Sequence, residues 1–88
     1  MMDFDTFLDQ CKEIVRDYAN AHLDKCDGKE IGTEEVFVVW YCKTLQNAKT
    51  LLSTKLFDGM YYELTYNGDK NELYLNAYKK FDNQCIKL

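Results

Sequence analysis

The hydrophobic residues of this chain change their spacing once, and that change constrains the fold more than any single motif. Between residues 4 and 22 they stand at Phe4, Phe7, Leu8, Cys11, Ile14, Val15, Tyr18 and His22. Steps of three and four put them on one stripe of an α-helix. Asp9, Lys12, Glu13, Arg16, Asp17 and Asn20 fill the opposite, wet face. Asp3 or Asp5 caps the N-terminus, and Gly28 suits the exit turn. The spacing therefore predicts a helix over about residues 3–24.

After Gly32 the pattern becomes that of strands. Val36-Phe37-Val38-Val39-Trp40-Tyr41-Cys42 is β-branched and aromatic, short, and apolar at both parities, which fits a strand buried on both faces. Turn signals at Gln46-Asn47, Asp58-Gly59 and Asn67-Gly68-Asp69-Lys70 divide the remainder of the chain. The last is a hairpin signal, because Asn-Gly readily takes the positive φ angles of a tight turn. Strands are expected over about residues 35–45, 49–57, 60–66 and 72–81, with residues 84–88 as a short extension or fifth edge. The predicted fold is α+β in one domain spanning residues 1–88: an N-terminal amphipathic helix on a four-stranded antiparallel meander.

One helix of this length is about 30 Å long and covers one face of such a sheet. Strict alternation puts Val36, Val38, Trp40 and Cys42 on one face of the first strand and Phe37, Val39, Tyr41 and Leu45 on the other. In the third strand Met60, Tyr62, Leu64 and Tyr66 oppose Tyr61, Glu63 and Thr65. In the fourth Leu73, Leu75, Ala77 and Phe81 oppose Tyr74, Asn76 and Tyr78. Whichever face the helix covers, aromatic residues remain on the other. Tyrosine, present seven times, pairs a broad apolar ring with a polar tip and is enriched at interfaces. Three explanations stand open: strongly curved strands that wrap the helix, self-association through the uncovered face, or a ligand or partner surface. The binding candidates are Phe37, Val39, Trp40, Tyr41, Lys43, Tyr61, Tyr62, Glu63, Tyr74, Tyr78 and Lys79, with an acidic rim of Glu34, Glu35, Asp58 and Glu63. Lys43, Lys49, Lys79 and Lys80 among Trp40, Tyr41, Tyr74 and Tyr78 would form a basic-aromatic patch able to stack a base, or simply guard strand edges.

No arrangement of residues marks catalysis, and no catalytic residue, cofactor or metal is expected. His22 is the only histidine and reads as a packed or hydrogen-bonded core residue. Cys11, Cys26, Cys42 and Cys85 contain no C-x-x-C pair, so reduced structural thiols are expected, with Cys11 and Cys42 acting as small hydrophobes. Glu34-Glu35 reads as a solvated turn or the lead-in to a strand. The net charge of −4, from 15 acidic and 11 basic residues, argues against general nucleic-acid binding. No apolar run approaches the roughly 20 residues of a membrane span, and the acidic start lacks the character of a secretory signal. A cytoplasmic protein is expected.

The strings Val36–Asn47, Leu51-Leu52-Ser53-Thr54, Asp58–Lys70 and Ala77-Tyr78-Lys79-Lys80 resemble a family of short uncharacterised proteins encoded by phages and prophages of Gram-positive bacteria. The resemblance covers nearly the whole chain and brings no catalytic residues with it. It implies a small accessory protein in the bacterial host cytoplasm that binds and modulates a host protein, such as an inhibitor of CRISPR or another defence effector. The alternatives are an oligomeric binder of a nucleotide signal, with Trp40, tyrosines and a lysine around a pocket, and a structural phage component.

Overall fold

The computed structural model describes residues 3–22, 30–56 and 58–88. Helix α1 spans Phe4–Ala21. A single 3-10 turn at Thr33–Glu35 leads into β1 (Val36–Thr44), β2 (Asn47–Thr54), β3 (Met60–Asn67) and β4 (Glu72–Lys79). The strands form one antiparallel sheet in the order β1-β2-β3-β4, with the helix packed on one face. The α+β meander expected from the change of spacing is the observed fold.

The helix begins where its chemistry says it should. Asp3 is the N-cap, and its carboxylate accepts the Thr6 N–H at 2.8 Å. That bond favours the ionised form and holds the Asp3 carboxyl below its ordinary value. Phe7, Cys11, Val15 and Ala19 recur every four residues along the buried stripe. They meet Val36, Ala48, Leu52, Tyr62 and Leu64 of the sheet and Ile31 of the segment before it. Asn20, expected on the wet face, is half-buried. Its amide donates to the Ile31 carbonyl at 3.0 Å, and its side-chain oxygen accepts the Ile31 N–H at 2.8 Å. This two-bond clamp ties the chain entering the sheet to the last turn of the helix. Continuation of the helix to residue 24 and the exit turn at Gly28 fall outside the described residues.

The turns depart from expectation by small, explicable amounts. The β1–β2 turn is Leu45-Gln46 instead of Gln46-Asn47, and Leu45 takes a positive φ of 55°. Asn47 instead opens β2, opposite both Thr44 and Asn67, where its side chain accepts the Gly68 N–H at 3.3 Å. In the β3–β4 turn the left-handed residue is Asn71, φ 52°, and not the Asn-Gly pair. The Asn67 side chain caps that turn by accepting the N–H groups of Asp69 and Lys70 at 3.1 and 3.4 Å. Gly68 is needed there for space: a Cβ on it would collide with the Gln46 carbonyl oxygen and lie 2.8 Å from the Gln46 Cβ. The sheet has four strands, and residues 80–88 form no strand. Phe81, Ile86 and Leu88 in that segment are exposed.

Candidate functional site

The helix-free face of the sheet depends on one extra residue. Val38 pairs with Leu52 and Trp40 with Leu51, so Val39 has no partner and forms a β-bulge. A bulge reverses the parity of everything after it. Val36 and Val38 lie on the helix side, and beyond the bulge so do Tyr41 and Lys43, which pair with Thr50 and Ala48. Strict alternation puts Trp40 and Cys42 with Val36. The structure places them on the open side with Phe37.

The bulge is held by a buried hydroxyl. Thr50 is fully buried, and its Oγ1 donates to the carbonyl of Trp40, the residue that follows the bulge, at 2.8 Å, so the buried hydroxyl is itself satisfied. Thr50→Val keeps the shape and deletes the donor, and is expected to cost about 1–3 kcal/mol. Equilibrium urea unfolding would read the loss, and a red or blue shift of Trp40 fluorescence would report any change in its setting.

Four rows cross the open face in register. Phe37, Ser53, Tyr61 and Tyr78 form the first, and Trp40, Leu51, Glu63 and Asn76 the second. Cys42, Lys49, Thr65 and Tyr74 form the third, and Thr44, Asn47, Asn67 and Glu72 the last. Phe37, Val39, Trp40, Tyr74 and Tyr78 are exposed, at 42–53% of their surface. Glu63 sits in the middle. Lys49 Nζ lies 3.7 Å from one of its carboxylate oxygens, while Asn76 Nδ2 and the Tyr78 hydroxyl donate to the other at 3.5 Å. Tyr74 donates to Glu72 at 3.1 Å, and that bond to a carboxylate raises its phenol pKa. A central charge met by two hydrogen-bond donors and the Lys49 ammonium gives the face a fixed charged point between its exposed rings, on a surface that is otherwise mixed polar and aromatic.

The other candidates are distributed differently. Tyr62 is core, 1% exposed, and burial, then the nearby Asp58 carboxylate and Tyr18, push its phenol to about 12. It is not a surface residue. Tyr41 packs beneath the helix, its ring 4.5 Å edge-on from Phe4 and 6.0 Å from Phe7. Lys43 stands on that same side, beside Phe4 and Tyr41. Lys79 pairs with Met60 on the helix side and lines a cleft of about 290 Å³ with Tyr18, His22, Asp58, Met60 and Tyr62. The basic-aromatic patch is therefore split, with Lys49 alone of the three strand lysines on the open face. Glu34 and Glu35 occupy the 3-10 turn before β1. Asp58 holds the β2–β3 loop by accepting the Met60 N–H at 3.1 Å.

His22 is hydrogen-bonded, as expected, but exposed and not core. Its Nδ1–H donates to the Tyr18 carbonyl at 2.8 Å, and its ring stacks on Tyr18 at 4.1 Å. Cys11 is completely buried, but Cys42 is exposed, as is Cys85; Cys42 owes its exposure to the bulge. Cys26 lies outside the described residues. Among the described residues no three His, Cys, Asp or Glu side chains gather as metal ligands would, and no helix is long and apolar enough to cross a membrane.

Ser53 and Leu51 belong to the open face, yet the sequence alone does not mark them as binding candidates. The alternation of β2 holds the signal, but Leu51-Leu52 reads as one apolar pair until the register separates them. No curated protein and no solved structure matches the chain. Residues 8–88 match the model of a family of unknown function, DUF6275, and the chain belongs to that family.

Proposed function

We propose that this chain is a non-catalytic protein-binding module whose working surface is the helix-free face of its sheet. One observation carries the reading: Phe37, Trp40, Tyr74 and Tyr78 are exposed together on one face around the Glu63 cluster. Rigid aromatic side chains on a sheet contribute large contact area at low entropic cost, and such residues dominate binding energy in protein interfaces. The Glu63 carboxylate adds direction, since a partner must either leave its two donors and the Lys49 ammonium in place or supply its own. In the phage-type setting implied by the resemblance, the partner is a host protein such as a defence effector, and the module acts by occupying that protein's surface.

The test is capture from a lysate of cells that carry the gene, comparing face variants with a control. A protein retained in stoichiometric amount by the native chain and by Glu13→Ala, on the exposed side of the helix, is expected to be lost about 30-fold or more with Trp40→Ala. Circular dichroism must show both variants folded. Equal retention by Trp40→Ala and the native chain would refute the assignment of the face.

A further inference from the structure

The two edges of the sheet are not alike. β1 carries the Val39 bulge, a device that spoils an edge for pairing with another strand. β4 has no such protection. Its eight residues run in unbroken register against β3, from Glu72 opposite Asn67 to Lys79 opposite Met60, and the chain contains no proline. The Lys80 N–H donates to the Gly59 carbonyl at 2.8 Å, which fixes the parity of the backbone. Even-numbered residues of β4 turn their amides and carbonyls toward β3. Leu73, Leu75, Ala77 and Lys79 turn theirs outward.

We propose that β4 pairs antiparallel with β4 of a second copy of this chain, with Asn76 on the two-fold axis. A two-fold axis normal to the sheet keeps each residue on its own face, so paired residue numbers must sum to an even number. With Asn76 opposite Asn76, every pair is complementary. On the open face Tyr74 meets Tyr78 of the second copy, and Glu72 meets its Lys80. On the helix face Leu75 meets Ala77, and Leu73 meets the stem of Lys79. The outward amides and carbonyls of the odd residues then bond one another, and Tyr74–Tyr78 and Asn76–Asn76 fall in the closer, non-hydrogen-bonded positions.

The neighbourhood of β4 supports a second copy as the occupant. The helix lies mainly over β1 and β2, which leaves Leu73, Leu75 and Ala77 only half-buried. A continuous sheet of two copies brings a second set of the same side chains beside them. The charges across the joint are opposite, and the aromatic pairs repeat twice by symmetry. The product is an eight-stranded sheet with both aromatic faces on one side. This dimer neither requires nor excludes a partner on that face, so it stands or falls separately from the proposed function.

Solution mass by light scattering, from micromolar to millimolar protein, is the first measurement, and a dimer is expected. Asn76 is exposed, so Asn76→Lys leaves the monomer folded and sets two ammonium groups opposite each other across the axis. The dimer dissociation constant should rise about tenfold or more. Asn76→Cys, in a chain with Cys26, Cys42 and Cys85 changed to serine, should oxidise to a linked dimer. The expected Cα separation there, about 4.5 Å, lies within disulfide reach. Thr44→Cys on the bulged edge, in the same background, should not do so at a comparable rate. A native chain that stays monomeric throughout overturns the proposal. So does a dimer indifferent to Asn76→Lys, or crosslinking no faster at 76 than at 44.

Discussion

Leu52→Ala is expected to lower the free energy of unfolding by about 2–5 kcal/mol. Leu52 has no exposed surface. It stands on a central strand between Val38 of β1 and Tyr62 of β3, in the same buried cluster as Val15 and Cys11 of the helix. Removing its isobutyl group forfeits the transfer energy of the lost carbons and leaves a cavity whose walls, two ladders and a helix, cannot close on it. Domains of this size are commonly stable by about 5–15 kcal/mol, so the variant would retain little margin. Leu51 is the internal control. It is the neighbouring leucine on the same strand but half-exposed on the open face, and Leu51→Ala should cost clearly less. Equilibrium urea unfolding with an unchanged denaturant slope would establish both values. Equal losses at the two positions would show that the burial of β2 is misassigned.

Alkaline pH should destabilise the fold through Cys11. Burial pushes its thiol from the ordinary 9.0 up to about 12. Between those values the unfolded chain releases a proton that the folded chain keeps. Stability is therefore fully present below pH 9 and falls as pH rises toward the folded value. The slope approaches about 1.4 kcal/mol per pH unit for one such group. Tyr62 adds a second contribution from its ordinary 10.0 to about 12. Unfolding curves from pH 8 to 11.5 should thus slope downward, and Cys11→Ala, which removes the thiol, should flatten the part between pH 9 and 10. A native curve with no slope there would mean that the thiol ionises in the folded state as readily as in the unfolded one.

Much of this architecture is legible in the residues, and the part that is not has a common physical cause. The helix follows from spacing alone, because Phe7, Cys11, Val15 and Ala19 fall on one stripe whatever they pack against. The strands follow from β-branched and aromatic composition. Side-chain direction is more fragile, since it rests on a count of two that one unpaired residue reverses. Val39 gives no warning: it is a β-branched residue among others, with no glycine beside it. Alternation consequently groups Trp40 and Cys42 with Val36, and Tyr41 with Phe37, the reverse of their observed sides. The within-strand groupings Tyr61 with Glu63 and Tyr74 with Tyr78, on unbulged stretches, hold; that these share a face with Phe37 comes from the register. Tyr62 reads as a surface candidate because its ring and hydroxyl suit either setting; only register against Leu52 and Ala77 places it inside. The turns show the same limit. Leu45 and Asn71 adopt left-handed backbone because the ladders on either side demand it, and a leucine carries no local preference for that conformation.

Val39 also has a consequence for how sequences of this family are to be aligned. A gap opened anywhere in the run Val36–Cys42 would score almost alike, because every residue in it is apolar or aromatic. Structurally the choices are not alike. A relative lacking the unpaired residue would turn its tryptophan inward beneath the helix and its tyrosine outward, exchanging lining for surface without altering composition. Length at this point in β1, counted to the single residue, is thus a marker for which members of the family present the same side of the first strand to the world.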